Sequence, residues 1–151
     1  MPRSPIKQGL QLPELPRLFL SMTRLVHGEM KKIGGKSELS ASQAQAMLVV
    51  TCRQSVRLGD LAECLGMSAP SATVLVNGLV RKGYLERVAD PSDGRALHLH
   101  PTAPGKRAIE KRLTLFSQAF QQLLTSLTRK EQSDLAAILH KLVTLHEPAL
   151  H

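Results

Sequence analysis

The sequence is poor in aromatic residues and in cysteine, and it has no long apolar run. With three Phe, one Tyr and no Trp, the core must be built mainly from Leu, Val, Ile, Met and Ala. Neither cysteine, Cys52 or Cys64, has metal-ligand spacing, and the pair does not suggest a disulfide framework, which fits a reducing cytosol. The sequence contains no run of about 18 apolar residues, so no transmembrane span is expected. The N-terminus lacks the apolar segment of a secretory signal. We therefore expect a cytoplasmic protein without a membrane partner.

The length and composition are those of an ordinary globular domain with a basic surface. A chain of 151 residues with 42% hydrophobic and 21% charged residues is long enough for one domain with a core. The formal net charge is +8, which suggests a polyanionic partner, most often nucleic acid. Because the basic residues are spread along the whole chain, the charge alone does not identify a DNA-binding segment.

The spacing of apolar residues predicts six helices and one hairpin. Intervals of three and four mark helical faces, and capping residues mark helix ends. Ser40 and Gln43 form a capping box, Ser68 is a good N-cap, and Gly66 and Gly83 stop the helices before them. The predicted elements are helices at about 15–33, 41–53, 58–65 and 69–82, strands at 84–88 and 96–100, and helices at about 102–124 and 129–146.

The segment from Leu58 to Pro101 has the most informative order of elements. A short helix runs into a Gly turn, a second helix follows, and two strands are joined by a loop dense in turn formers. The second helix of such a pair fits the major groove of DNA. The hairpin can place Arg95 beside the same duplex.

The helices at both ends of the chain carry apolar faces that one small DNA-binding region cannot easily bury. The predicted fifth helix repeats apolar residues every 3.5 residues from Ile109 to Leu127, as a coiled-coil helix does. We expect the last two helices to form an antiparallel pair and the terminal helices to interlock in a two-fold homodimer. Such a dimer would hold two recognition helices about one DNA turn apart, roughly 34 Å.

Four motifs, taken together in their order along the chain, resemble the MarR family, the winged-helix regulators named for multiple antibiotic resistance. The strongest is the loop between the strands, which follows the family's D-P-x-D-x-R pattern from Asp90 to Arg95. The other three are L-A-x-x-L-G-x-S from Leu61 to Ser68, L-x-x-K-G-[LY]-x-E-R from Leu79 to Arg87, and T-x-x-G from Thr102 to Gly105. The chain departs from the family pattern at four positions, which are Arg57, Val74, Gly78 and Pro101.

The resemblance implies a fold and a function. The fold is mainly α with a small β-wing, in one domain over residues 1–151. Dimerisation helices are expected at about 12–35 and 102–147, and the winged-helix DNA-binding region at about 40–101. The function implied is a sequence-specific regulator, most often a repressor, that acts as a homodimer on double-stranded DNA at a pseudo-palindromic operator. A small aromatic or phenolic effector would bind between the dimer helices and the DNA-reading region.

Side chains at the start of the predicted recognition helix are candidates for contact with DNA. The hydroxyls of Ser68, Ser71 and Thr73 can meet phosphates, and those of Ser71 and Thr73 can approach base edges. Ala72 could contact a thymine methyl, and Asn77 could read adenine with two hydrogen bonds. Ser68 also has a simpler interpretation as a plain N-cap, and Asn77 as an ordinary surface residue.

Arg95 is the strongest single candidate for DNA contact. It follows a tight turn and can reach the minor groove or its phosphates, although a solvated loop arginine is the simpler alternative. We expect Asp93 to hold the loop and to orient Arg95. Four more basic residues are candidate phosphate contacts, and each could also be plain surface charge: Arg57, Arg81, Lys82 and Arg87.

The cysteines and histidines offer alternative interpretations. Some MarR-type proteins sense oxidants, but Cys52 and Cys64 have apolar neighbours within helices, so we expect buried, inert thiols. His98 and His100 share one face of a strand, and without further ligands we expect solvated or phosphate-facing histidines, no metal and no cofactor. No Ser/His/Asp, Cys/His, paired-carboxylate or phosphate-loop pattern suggests an enzyme. The rival hypotheses are a thiol-based redox regulator and a protein-interaction module on a winged-helix scaffold.

Overall fold

The structure is a computed structural model that describes residues 14–33, 38–90 and 97–146. Over these residues the chain is mainly helical with a small antiparallel sheet, as the sequence predicts. The elements in chain order are α1 (Glu14–Lys32), α2 (Ala41–Arg53), β1 (Val56–Arg57), α3 (Leu58–Cys64), α4 (Ala69–Arg81), β2 (Leu85–Ala89), β3 (Leu97–Pro101), α5 (Ala103–Leu124) and α6 (Arg129–His146).

The helices begin and end where the capping residues predict. The Ser40 hydroxyl accepts a hydrogen bond from the Gln43 N–H, and the Gln43 side chain returns one to the Ser40 N–H, which completes the capping box of α2. Ser68 caps α4 and Thr102 caps α5 in the same way. Gly83 adopts a φ of 71° after α4, a left-handed conformation that favours glycine.

The sheet has the order β1-β3-β2, so β3 is its central strand. Val56 of β1 pairs with Leu99, and Leu85 of β2 pairs with Pro101. Strand β2 begins one residue later than the sequence predicts, because the Tyr84 N–H donates to the Leu79 carbonyl and closes the end of α4. The strands β2 and β3 form the stem of the wing.

Helices α2, α3 and α4, the sheet and the first turns of α5 form a unit that we call the head. Its core is closed over large apolar side chains with almost no exposed surface, which are Met47, Val50, Leu61, Val76, Leu79, Leu85, Leu99 and Ile109. Helix α5 approaches the sheet closely at Gly105, where an added Cβ would lie 2.1 Å from the Tyr84 carbonyl oxygen. The head therefore holds α4 on a rigid support.

Helix α1 packs along the remainder of α5, and α6 continues beyond the end of α5; we call these three helices the base. Helix α1 packs along α5, and the buried side chains of this cluster are small in number: Val26, Met30 and Ala119. Much larger apolar side chains stay exposed on α1, among them Leu18, Phe19 and Leu20. Within the described residues, the base thus leaves most of its apolar surface uncovered.

The expected antiparallel pairing of the last two helices is wrong for the described residues. Helix α6 makes little contact with α5 or with any other element, and its described side chains include no buried residue. The Gln132 side-chain amide donates to the Leu124 and Leu127 carbonyls and so ties the start of α6 to the end of α5. From the apolar repeat of α5, Phe120 and Leu123 pack in the cluster with α1, while Leu113 and Phe116 stay exposed.

No helix in the described part of the chain is both long and apolar enough to cross a membrane.

Candidate nucleic-acid interface

The first turn of α4 presents three hydroxyl groups. Ser68 accepts from the Ser71 N–H at 3.4 Å, and the two hydroxyl oxygens are 2.9 Å apart. Both residues are exposed. The Thr73 hydroxyl donates to the Ala69 carbonyl at 2.8 Å, so its proton is already used within the helix. Because a phosphate needs hydrogen-bond donors, Ser71 fits a phosphate better than Thr73 does.

Ala72 cannot contact a thymine methyl in this structure. Its side chain has an exposed fraction of 0%, because it lies on the face of α4 that also buries Val76 and Leu79. The expectation from the sequence is corrected on this point. The helical repeat of three and four residues places Ala72 on the core face, while Ser71 lies beside it on the surface.

The exposed face of α4 is formed by residues three to four positions apart. Val74 is 71% exposed, and Asn77 and Arg81 follow it on the solvent side. These three residues line an open cavity of about 410 Å³ together with Val80 and Arg87 of β2. Neither Val74 nor Arg81 has a polar partner in the described part of the chain. This face of α4 is therefore free to receive a partner.

A hydrogen bond joins this face to the wing stem. The Arg87 guanidinium nitrogen Nη2 donates to the Asn77 oxygen Oδ1 at 2.7 Å. The sequence predicts that Arg87 contacts a phosphate and that Asn77 contacts a base, but it does not predict a bond between the two side chains. Ten residues and a helix end separate the two, so only the packing of α4 on β2 brings them together.

Lys82 is held within the head. Its ammonium group donates to the Glu38 carbonyl at 2.5 Å and to the Gln43 side-chain oxygen at 3.1 Å. The Tyr84 hydroxyl donates to the Glu38 carboxylate, and this hydrogen bond, with a smaller contribution from burial, raises the pKa of Tyr84. With two acceptors already bound, Lys82 is a weaker candidate for phosphate contact than Arg81.

An ion-pair network joins the strands of the wing stem at the end that leads into the wing loop. Asp90 accepts from Arg57 at 3.1 Å and lies 3.1 Å from Nε2 of His98, whose Nδ1 lies 2.8 Å from the Ser55 hydroxyl. His98 is thus neither solvated nor phosphate-facing, and Arg57 is an internal partner as well as a surface cation. No sequence pattern predicts this Ser–His–Asp series, since Ser55 precedes β1, Asp90 follows β2 and His98 lies on β3. Arg57 on β1 and His98 on β3 both contact the same oxygen, Oδ2, of Asp90, which directly follows β2. The network therefore joins all three strands.

Asp93 and Arg95 lie outside the described residues, as does the loop from 91 to 96 that contains them. Their expected roles at the tip of the wing stay predictions. The described residues include no group of three or more His, Cys, Asp or Glu side chains that could hold a metal ion.

Comparison with known proteins agrees with this architecture. A sequence model described as the MarR family matches residues 37–96, which span the head from before α2 to the end of the wing loop. The Transcriptional repressor MprA of Escherichia coli K12 is 25% identical over 93% of this chain and 88% of its own length. Residues 37–96 of this chain are thus similar to the MarR family.

Solved structures show the same MarR fold. A mutant of MarR from E. coli matches with a TM-score of 0.75 and 23% identity, over 91% of this chain and 99% of that one. A crystal structure of that MarR mutant complexed with operator DNA matches with a TM-score of 0.66 and 23% identity, over 87% and 94% of the two chains. These matches at 23% identity show that the chain shares the winged-helix fold of MarR.

Both cysteines of this chain are exposed, which corrects the expectation of buried thiols. Cys52 lies near the end of α2 and Cys64 at the end of α3, and neither forms a disulfide. Apolar neighbours in the sequence do not show that a cysteine is buried, because adjacent residues on a helix point about 100° apart. Leu61 and Ala62 face the core of the head, while Cys64 faces solvent.

Proposed function

We propose that this chain is a sequence-specific DNA-binding repressor that acts as a homodimer in the cytoplasm. The observation that carries the proposal is the uncovered face of α4, where Val74, Asn77 and Arg81 project from a closed core. A helix on a rigid support with a free polar and basic face suits the major groove. The net charge of +8 favours a polyanionic partner.

The proposed contacts divide into two groups. Ser71 and Arg81 would bind phosphates and set the position of α4, with the Ser68 hydroxyl capping the helix and donating to Ser71, while Asn77 would reach a base edge. Arg95 would enter the adjacent minor groove or bind its phosphates, with Asp93 orienting it. Support for this division comes from the exposure of Ser68, Ser71, Asn77 and Arg81, and from the network at Asp90 that fixes the stem below the wing loop.

The uncovered apolar surface of the base supports the homodimer. Phe19 on α1 is 67% exposed and Ile138 on α6 is 59% exposed, and further large apolar residues accompany them on both helices. Contiguous apolar surface of this kind marks an interaction site in a soluble protein. We infer that α1 and α6 pack against their counterparts in a second copy and set two α4 helices about 34 Å apart on a pseudo-palindromic operator.

Control by a small aromatic or phenolic molecule completes the proposal. Such an effector would bind between the base and the head and would change the distance between the two α4 helices. It would lower the affinity for DNA only if it bound the free dimer more tightly than the DNA-bound one. A panel of phenolic acids should therefore both raise the thermal midpoint of the free protein and release the operator.

The decisive experiment begins with selection of bound sequences from a random duplex pool by the wild-type protein. We expect a pseudo-palindromic consensus and a homodimer in sedimentation analysis. Arg95→Ala should then weaken binding to this operator by at least severalfold at constant salt, while Arg129→Ala on α6 serves as a control of equal charge change. A monomer that shows no preference among duplexes would contradict the proposal and favour a protein-interaction module.

Thiol control is a second candidate, and the exposure of Cys52 and Cys64 favours it. If oxidation released the DNA, the Cys52→Ser and Cys64→Ser variants would keep their affinity for the operator under oxidant while the wild type lost it. Equal affinities of all three proteins under oxidant would leave effector binding as the means of control.

A further inference from the structure

We propose that Arg87 is a positioning residue that fixes the side-chain amide of Asn77 as a hydrogen-bond donor toward DNA, and that Asn77 consequently selects against cytosine. This inference rests on the proposed function, because it concerns which bases α4 distinguishes. It keeps the expectation that Asn77 can read adenine and adds that cytosine is disfavoured.

The first step is the direction of the bond between β2 and α4. Arg87 Nη2 lies 2.7 Å from Asn77 Oδ1, a short distance typical of a charge-assisted hydrogen bond. A guanidinium group has five N–H donors and no acceptor. The amide atom that faces Arg87 must therefore be the oxygen, and rotating the amide by 180° would place two donors against each other.

The second step concerns the other half of the same amide. The NH₂ group of Asn77 has no partner among the described residues, whereas the oxygen is held by Arg87. An unrestrained asparagine can turn either its oxygen or its NH₂ group toward a ligand. While Arg87 holds one lone pair of the oxygen, the amide is fixed with its NH₂ group turned away from Arg87, and this NH₂ group is the donor that Asn77 offers.

The third step is the pattern of base edges in the major groove. Guanine offers acceptors at N7 and O6, thymine at O4 and adenine at N7, while cytosine offers only the N4 donor. A donor on Asn77 can pair with the first three bases and not with cytosine. Adenine can also donate from N6 to the second lone pair of the Asn77 oxygen, so the bond to Arg87 does not exclude adenine.

A different role for Arg87 makes a different prediction. If Arg87 left Asn77 and bound a phosphate, its removal would weaken binding to every duplex alike. The slope of log affinity against log salt would then become shallower by about 0.9, as expected for one lost phosphate contact. A positioning role changes the ratio of affinities between bases and leaves that slope nearly unchanged.

The experiment uses the full chain and the operator selected by the wild type. Asn77→Ala first identifies the base pair at which the protein loses its preference. All four base pairs are then placed at that position, and affinities are measured for the wild type, Arg87→Met, Arg87→Lys and the double variant Arg87→Met with Asn77→Ala. Arg87 and Asn77 are both exposed, so we expect each variant to fold. The unfolding midpoint of each variant is measured to check this.

We expect the wild type to bind the cytosine duplex about tenfold more weakly than the guanine duplex, within the range for one base contact. Arg87→Met should reduce this ratio to about twofold or less, because the freed amide can turn its oxygen to the cytosine N4 group. Arg87→Lys should restore most of the ratio, since an ammonium group also only donates. The double variant should behave as Asn77→Ala does, which shows that Arg87 acts through Asn77.

Three outcomes overturn the inference while the proposed function stands. Asn77→Ala could leave every base preference intact, Arg87→Met could leave the guanine-to-cytosine ratio intact, or Arg87→Met could weaken all four duplexes equally with a shallower salt slope. If instead the wild type selects no consensus from the pool, the proposed function itself fails, and the inference fails with it at that earlier stage.

Discussion

The head and the base are built from similar apolar residues but differ in how completely they bury them. In the head, eight large side chains are almost fully enclosed by four helices and a three-stranded sheet. In the base, the buried residues of the cluster between α1 and α5 are Val26, Met30 and Ala119, while Phe19, Ile138 and other large residues face outward. The same kind of residue thus completes a core in one unit and forms an uncovered surface in the other.

This difference separates two tasks within one chain. A closed core lets the head hold α4 and the wing stem in fixed positions without help from another molecule. In the base, exposed apolar faces on α1 and α6 lack a covering surface within the described residues, and the proposed homodimer would supply one. Stability of the head should therefore be independent of protein concentration, and stability of the base should depend on it.

The largest expected effect comes from a matched pair of leucine truncations. Leu79→Ala in the head, where the side chain has an exposed fraction of 0%, should lower the free energy of unfolding by about 2–5 kcal/mol at every protein concentration. Leu139→Ala on α6, where that fraction is 41%, should have an effect that grows with self-association. Urea unfolding at two protein concentrations measures both, and a concentration-dependent loss at Leu79 would contradict the comparison.

A pair of glycine substitutions tests the contact between α5 and the head. Gly105→Ala should destabilise the protein by about 3 kcal/mol, at the upper end of overpacking costs, since its Cβ would lie 2.1 Å from the backbone oxygen of Tyr84. Gly28→Ala in α1 meets nothing within 4 Å and should stabilise by about 0.5–1 kcal/mol through helix propensity. Thermal unfolding reports both signs, and equal effects at the two sites would show that α5 is not closely packed at Gly105.

The N-cap of α4 provides a smaller effect that separates stability from DNA binding. Ser68→Ala should cost about 1 kcal/mol, because the hydroxyl that caps α4 is removed. Ser68→Asp keeps a capping oxygen and should retain that stability, but its negative charge should weaken DNA binding. Unfolding curves and titration with the selected operator measure the two properties, and tight binding by Ser68→Asp would place the phosphates away from this turn.

The smallest effect is a pH dependence at the start of α6. Hydrogen bonds from the Thr128 backbone N–H and hydroxyl lower the pKa of Glu131. A lowered folded-state pKa means that this stabilisation is present above the unfolded value of about 4.3 and is lost as the pH falls through the folded value. Glu131→Gln keeps the oxygen but does not titrate, so the wild type should lose slightly more stability than the variant on acidification. Parallel pH profiles of the thermal midpoint would exclude this contribution.

Local patterns in the sequence predicted the elements well, because each helix carries its own start and stop signals. The capping box at Ser40, the cap at Ser68 and the glycine at Gly83 fix helix ends through atoms only a few residues apart. The order of α3, α4 and the hairpin follows from the same signals. The winged-helix region was therefore predictable without knowledge of any contact distant in the sequence.

Contacts between distant residues were not predictable, and the candidate site depends on them. The bond between Arg87 and Asn77 and the network around Asp90 join side chains from different elements, for which periodicity holds no information. The burial of Ala72 and the exposure of Cys64 depend on the exact rotation of their helices, which one residue can reverse. The direction of α6 depends on the four residues after α5, where no strong turn signal occurs.

Helix α5 is one uninterrupted helix of 22 residues with its first turn fixed to the head and its last turns in the base. At 1.5 Å per residue it is about 33 Å long, so a tilt of about 5° at one end moves the other by about 3 Å. That displacement is comparable to the rise of one base pair. Under the proposed DNA binding, a tilt of α5 by that angle would shift α4 by about one base-pair step along the duplex.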